Sequence, residues 1–197
     1  MSQFEYVMVL VSIIVGLGIA HMLLGIGGII DRLTRGKEPL ELSLAHFAWL
    51  TSCFGWLILF WWWEYRFSTQ VADWTVGLYF FLVFYAVVLF LLAAILVPRT
   101  WDGVHSLKDY FLERRVWFYG FYMFANAIDL VDSWLKGGLV YFQESVGVFG
   151  LSLTFLSFPV GIIGMKTRNI AFHNWMGVLF AIFQFAIGFN MLPHLVI

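Results

Sequence analysis

The sequence predicts an all-α, polytopic membrane helix bundle with six transmembrane spans in one domain, residues 1–197. Three observations predict it. Six long apolar runs fill almost the whole chain, at residues 4–30, 44–63, 76–97, 116–134, 139–165 and 170–197. Each reaches about the 20 residues a helix needs to cross a hydrocarbon layer about 30 Å thick. The chain is 62% hydrophobic and 12% charged, whereas soluble domains are nearer half apolar and a quarter charged. The basic residues alternate between the loops. Arg32, Arg35, Lys37, Arg99, Lys108, Arg114, Arg115, Lys166 and Arg168 fall in connections one, three and five; only Arg66 and Lys136 fall in two and four.

That alternation gives an orientation. Loops rich in Lys and Arg stay in the cytoplasm, so both termini are expected on the outer side. The acids lean the other way: Glu5, Glu64, Asp73, Asp129, Asp132 and Glu144 lie on or near the outer side. The net charge of -1 provides no bulk field for nucleic acid. Cys53 is the only cysteine, which excludes an internal disulfide and a cysteine-rich zinc site. The run after Met1–Glu5 is too long for a signal-peptide core and lacks a basic leader. It reads as an uncleaved first span.

The first span carries small residues four apart, Ser12, Gly16 and Ala20, with Gly18, Gly25, Gly28 and His21 near the opposite face. Small residues let helices approach closely in lipid, so packing on two sides is expected. The second span sets His46, Cys53 and Glu64 on one face and ends in Trp61–Trp63, an interfacial aromatic anchor. The third span has no ionisable group except two tyrosines. A helix apolar all round is able to face lipid, which places it at the periphery. Between spans three and four, Ser106 and Asp109 form a helix-start signature. Leu107, Tyr110 and Phe111 then make an apolar stripe, the mark of a short cytoplasmic interfacial helix.

The fourth span is the most informative. Tyr119, Tyr122, Asn126, Asp129 and Ser133 follow helical spacings and form one polar stripe, with Asp132 at its edge. Such a stripe cannot face lipid, because an unsatisfied polar group there costs several kcal/mol. It belongs against other helices or a wet cavity. The fifth span offers a matching seam, Gln143, Gly147, Gly150, Thr154, Ser157 and Gly161, with Glu144 beside it and Pro159 as a kink. The sixth adds His173, Gly177, Ala181, Gln184 and Gly188, closed by Asn190, Pro193 and His194.

These seams define the candidate site. Asp129, Asn126, Glu144 and Gln184 would line a cation or proton route, with Glu5 at the outer mouth and His21 as an inward proton relay. For Asp132 the competing reading is a pair with Lys136 one turn away. His21 and His46 have a second use, as ligands of a haem iron or metal, but no spacing motif supports it, and no cofactor or metal is expected. Neither G-x-S-x-G nor H-E-x-x-H occurs, and an Asp129–Glu144 dyad would need matched depth on two spans. An enzyme is not expected. A different class of answer is an accessory or scaffold subunit of a larger membrane complex, or a homo-oligomer, since glycines and 22 phenylalanines suit helix packing.

The opening FEYVMVLVSIIVGLGIAH, the WWW-E-Y-R end of span two, the LLAAILVP end of span three and the K-D-Y-F-L-E-R-R-V-W-F run into span four resemble a family of small uncharacterised bacterial multi-span membrane proteins. The resemblance covers about two thirds of the chain. It implies a bacterial inner membrane location and carries no activity.

Overall fold

The structure is a computed structural model that describes residues 2–35, 39–71 and 74–189. It is all-helical: α1 Gln3–Arg35, α2 Leu44–Glu64, α3 Phe67–Gln70, α4 Val76–Leu96, α5 Leu107–Leu135, α6 Gly138–Tyr141, α7 Gly147–Lys166 and α8 Ile170–Gly188, with a π-helical turn, Phe142–Val146, before α7. Lys37, Asp73, Asn190, Pro193 and His194 lie outside the described residues.

Five segments are long and apolar enough to cross a membrane: α1, α2 with its continuation to Thr69, α4, α7 and α8. The fourth predicted span forms a 29-residue helix, α5, but it is not among the five. Its tyrosines, Asn126 and two aspartates dilute its apolar content. Helix starts follow cap chemistry. Ser43, Thr75 and Ser106 each accept from the backbone N–H three residues on, and Asn169 accepts from Ala171. Pro98 stands just past the end of α4, where the chain leaves the helix.

The helix α2 is the centre of the bundle. Of its apolar window 67% is buried, against 22–39% for the other four. It packs on α8, α4, α1 and α5; α5 in turn packs on α4 and α7. Trp49 is fully buried at the middle. Its ring meets Phe118, Tyr119, Tyr122 and Phe180 at centroid distances of 5.0–5.7 Å, spacings at which aromatic pairs attract.

Four expectations are corrected. The third span is not peripheral: α4 packs on α1, α5 and α2 and buries Leu82, Tyr85, Leu89 and Leu96. An apolar surface serves a helix interface as well as it serves lipid, so its composition could not decide between them. The first span packs on one side only. Phe4, Val7, Met8, Val11, Val15, Gly18, Met22, Gly25 and Ile29 are buried, while Ser12, Gly16 and Ala20 are exposed. Gly18 and Gly25 make room for Leu57 and Val97, and Gly28 seats the Trp101 ring.

No separate interfacial helix precedes the fourth span among the described residues. Residues 107–115 are the first turns of α5, since no glycine or proline breaks the helix before Gly120. Leu107, Tyr110, Phe111 and Leu112 are buried against the bundle instead of lying on its surface. Lastly, the fifth span is interrupted. Gly147 sits at φ 66°, a conformation only glycine takes readily, so α7 begins there and Gln143 and Glu144 stay in the π turn.

Candidate functional site

At one end of the bundle α5 presents Asp129, Asp132, Ser133 and Lys136 on successive turns. Glu64, the last residue of α2, reaches the same point. Lys136 Nζ donates to Glu64 Oε1 at 2.9 Å and also pairs with Asp132 Oδ2. All three side chains are 2% exposed. The Phe67 ring centroid lies 5.2 Å from Lys136 Nζ, within the reach of a cation–π contact. Such burial needs compensation, because an unpaired ion in a low-dielectric interior is costly. Here one ammonium serves two carboxylates.

Asp129 stands one turn deeper and is only half-buried. It accepts a hydrogen bond from the Tyr85 hydroxyl of α4 at 2.9 Å. It faces a cavity of about 140 Å³ bounded by α2, α5, α6, α7 and α8. That volume holds several waters, each needing roughly 10–15 Å³ on this measure. Asn126, Ser133, Thr154, Tyr141 and Gln184 supply polar lining, and Trp56, Trp63, Phe180 and Ile187 supply apolar walls. Two carboxylates, Asp129 and Asp132, against one ammonium, Lys136, leave the lining formally negative. From Tyr122 to Lys136 the lining covers about 21 Å of helix at 1.5 Å per residue.

Side chains around it are held in place. Asn126 Nδ2 donates to Tyr122 O at 2.8 Å. The Gln184 amide lies 2.8 Å from Ser52 Oγ on α2. Thr154 and Ser157 donate back to carbonyls of their own helix, which satisfies their hydroxyls in an apolar setting.

Tyr122 and Phe180 belong both to the cavity lining and to the aromatic collar around Trp49. Tyr119, in the same collar, continues the α5 stripe. The Tyr119 hydroxyl lies 2.8 Å from His173 Nδ1, and His173 Nε2 lies 3.2 Å from Thr167 O. A carbonyl oxygen only accepts, so Nε2 carries the proton and Nδ1 accepts from Tyr119. His173 is 0% exposed, yet this chain of two bonds leads from the collar to the α7–α8 connection at the basic end.

The predicted site residues divide accordingly. Asp129, Asn126 and Gln184 come together in the cavity, as the seams predicted. Glu144 is exposed in the π turn, outside the lining. Glu5 is exposed at the start of α1, where its carboxylate accepts from Ser2 N at 2.7 Å. His21 packs on Phe90 at 6.4 Å, in the face between α1 and α4, and does not line the cavity. His46 is buried beside Phe47 and Tyr110. No group of three His, Cys, Asp or Glu is placed to hold a metal among the described residues.

Glu64, Lys136, Tyr85 and the Tyr119–His173 pair were not in the predicted set. Glu64 shares a helix face with His46 and Cys53, and all three are buried; that shared face was the available signal. Tyr85 was one of two tyrosines in an otherwise apolar span, which was a fainter one. In comparisons with known proteins, no family model, no curated protein and no solved structure matches the chain, so a functional reading rests on the geometry alone.

Proposed function

We propose that the protein is a six-span carrier or conduit for protons or small cations, with α5 as the sixth span and Asp129 as the group that takes up the cation. The observation behind this reading is the placement of Asp129. It is a half-buried carboxylate facing a formally negative cavity, with a hydrogen bond from Tyr85 and no ion pair among the described residues. Glu64 and Asp132, by contrast, are locked onto Lys136. A charged group held at membrane depth without a salt partner is costly unless it is hydrated or exchanges a proton or cation.

Lys136, Trp63 and Tyr141 flank the end of the cavity nearest the acidic face. Asp129 follows, then Asn126 and Tyr122, and the Trp49 collar closes the way. Tyr119, itself part of the collar, is hydrogen-bonded onward to His173. A proton passes along hydrogen bonds; a larger cation would need the collar to open. The proton is therefore the favoured cargo. His173 takes the inward relay role first given to His21, and Glu144 and Glu5 lie off this route. The same reading places the basic end of the bundle, with Arg32, Arg99, Lys108, Lys166 and Arg168, at the cytoplasmic face of a bacterial inner membrane and both termini outside.

The test is flux into liposomes, parent against Asp129→Asn. Loss of proton or cation uptake in the variant supports the reading, and unchanged uptake removes it.

One feature favours a second reading, that of an accessory subunit or homo-oligomer. Ser12, Gly16 and Ala20 form an exposed strip of small residues on α1, and nothing lies within 4 Å of a Cβ built at Gly16. Such strips seat neighbouring helices in lipid. Stoichiometric co-purification with another subunit, abolished by Gly16→Leu, would support it.

A further inference from the structure

At the basic end, a groove of about 550 Å³ lies between the last turn of α4, the connection that follows, and the first turns of α5. Its apolar wall is Ala94, Ile95 and Val97. Its polar rim carries Arg99 and Arg114, with Trp117 beyond. We propose that this groove binds the headgroup of an anionic phospholipid, with Arg99 and Arg114 on the phosphate and the apolar wall along the first acyl carbons.

The groove sits where α4 stops and charge begins, at the boundary between hydrocarbon and water. Trp117, 69% exposed and one turn inward from Arg114, is the kind of residue found at that depth. The Arg114 guanidinium is stacked over the Tyr110 ring at 3.8 Å, and the Tyr110 hydroxyl donates to Ile95 O at 3.2 Å. Stacking leaves the edge N–H groups of arginine free to grip an oxyanion in two places at once. Arg114 also meets Glu113 at 3.6 Å, but that acid is 68% exposed, and a solvated pair of this kind contributes little. Arg99 makes no ion pair among the described residues. Asp102 lies in the rim as well, so the two arginines outweigh one carboxylate.

The connection is also fixed in shape. Arg32 Nη2 donates to Val104 O at 3.0 Å. The Trp101 ring rests on Gly28. Glu41 N donates to His105 O at 2.8 Å and accepts at its own carbonyl from Leu107 N at 2.9 Å. A preformed groove binds without the cost of ordering a loop.

The experiment is native mass spectrometry of the purified full chain with phosphatidylglycerol or phosphatidylcholine of the same acyl chains. The parent should retain the anionic lipid preferentially. Arg99→Gln with Arg114→Gln should weaken that retention about thirty-fold, the product of two arginines at a charged headgroup. Arg35→Gln, an exposed arginine at the same end of the bundle, should change nothing. An unaltered helical circular dichroism spectrum and melting midpoint would show that the double variant is folded. Equal retention of both lipids by the parent overturns the proposal, as does retention unaffected by the double variant or equally weakened by Arg35→Gln. Displacement of the lipid by inorganic phosphate at equal concentration would show a free-phosphate site and overturn it too.

Discussion

Lys136 and Glu64 are 72 residues apart in the chain and 2.9 Å apart in the fold, each with a side chain 2% exposed. This pair ties the end of α5 to the end of α2 and holds the rim of the cavity. Replacing Lys136 by Met would leave Glu64 and Asp132 buried without their counter-charge. Breaking a buried pair from one side costs about 3–5 kcal/mol, so Lys136→Met should melt far below the parent in detergent. Combining it with Glu64→Gln and Asp132→Asn removes the stranded charges and should recover most of the loss. A triple variant no more stable than Lys136→Met would show that the charges are not the cause.

Tyr119→Phe keeps the ring and removes one hydroxyl. The lost hydrogen bond to His173 should cost about 1 kcal/mol, a small shift in melting midpoint. On the proposed route it also cuts the inner relay, so proton uptake into liposomes should slow several-fold while stability changes little. Equal uptake by parent and variant would take Tyr119 out of the route.

Two glycines of α7 should respond differently to the same change. A Cβ at Gly164 would run into the Tyr119 ring, which is fully buried and boxed in by other aromatics. A Cβ at Gly161 would meet Cγ and Sδ of Met123, a side chain with three rotatable bonds that relieves such a clash more readily than a boxed ring. Gly164→Ala should therefore destabilise by about 1–3 kcal/mol, the usual cost of overpacking, and Gly161→Ala by less. Thermal unfolding of both variants in the same detergent decides it; the reverse order contradicts the packing described.

At the basic end Glu41 accepts from Ser106 Oγ at 2.6 Å and from Lys108 Nζ at 3.1 Å. These hydrogen bonds, that of Ser106 first, hold its carboxyl below the ordinary 4.5. A lowered folded value stabilises above the unfolded one and loses that effect as pH falls through the folded value. The midpoint difference between parent and Glu41→Gln should be full near neutral pH and shrink below about 4.5. Lys108 is raised from its ordinary 10.5, chiefly by the same hydrogen bond, so its share persists to high pH. A difference that grows on acidification would contradict this pairing.

Much of the architecture was legible because composition and caps act locally. Apolar runs placed the starts of α2, α4 and α8 at Leu44, Val76 and Ile170, where the helices begin. The polar stripe of α5 was readable from spacing, and its inward aim followed from the cost of exposing Asn126 and Asp129 to lipid. The break at Gly147 was not readable, since glycines are common inside membrane helices and only the backbone angle distinguishes this one. Nor was the position of α4, because lipid and helix surfaces make the same demand on Leu and Val. Asp132 with Lys136 could be read as an intrahelical pair. Their third member, Glu64, could not, because nothing local in the sequence links positions 72 residues apart.

The role of Asp129 is the claim on which the rest depends. The direct measurement is uptake of protons, followed by a trapped pH-sensitive dye, in liposomes holding matched amounts of the parent, Asp129→Asn, and Asp31→Asn as an acid outside the cavity. Uptake is expected for the parent and for Asp31→Asn, and background uptake for Asp129→Asn. Equal uptake by all three, or background uptake by the parent, would contradict that role.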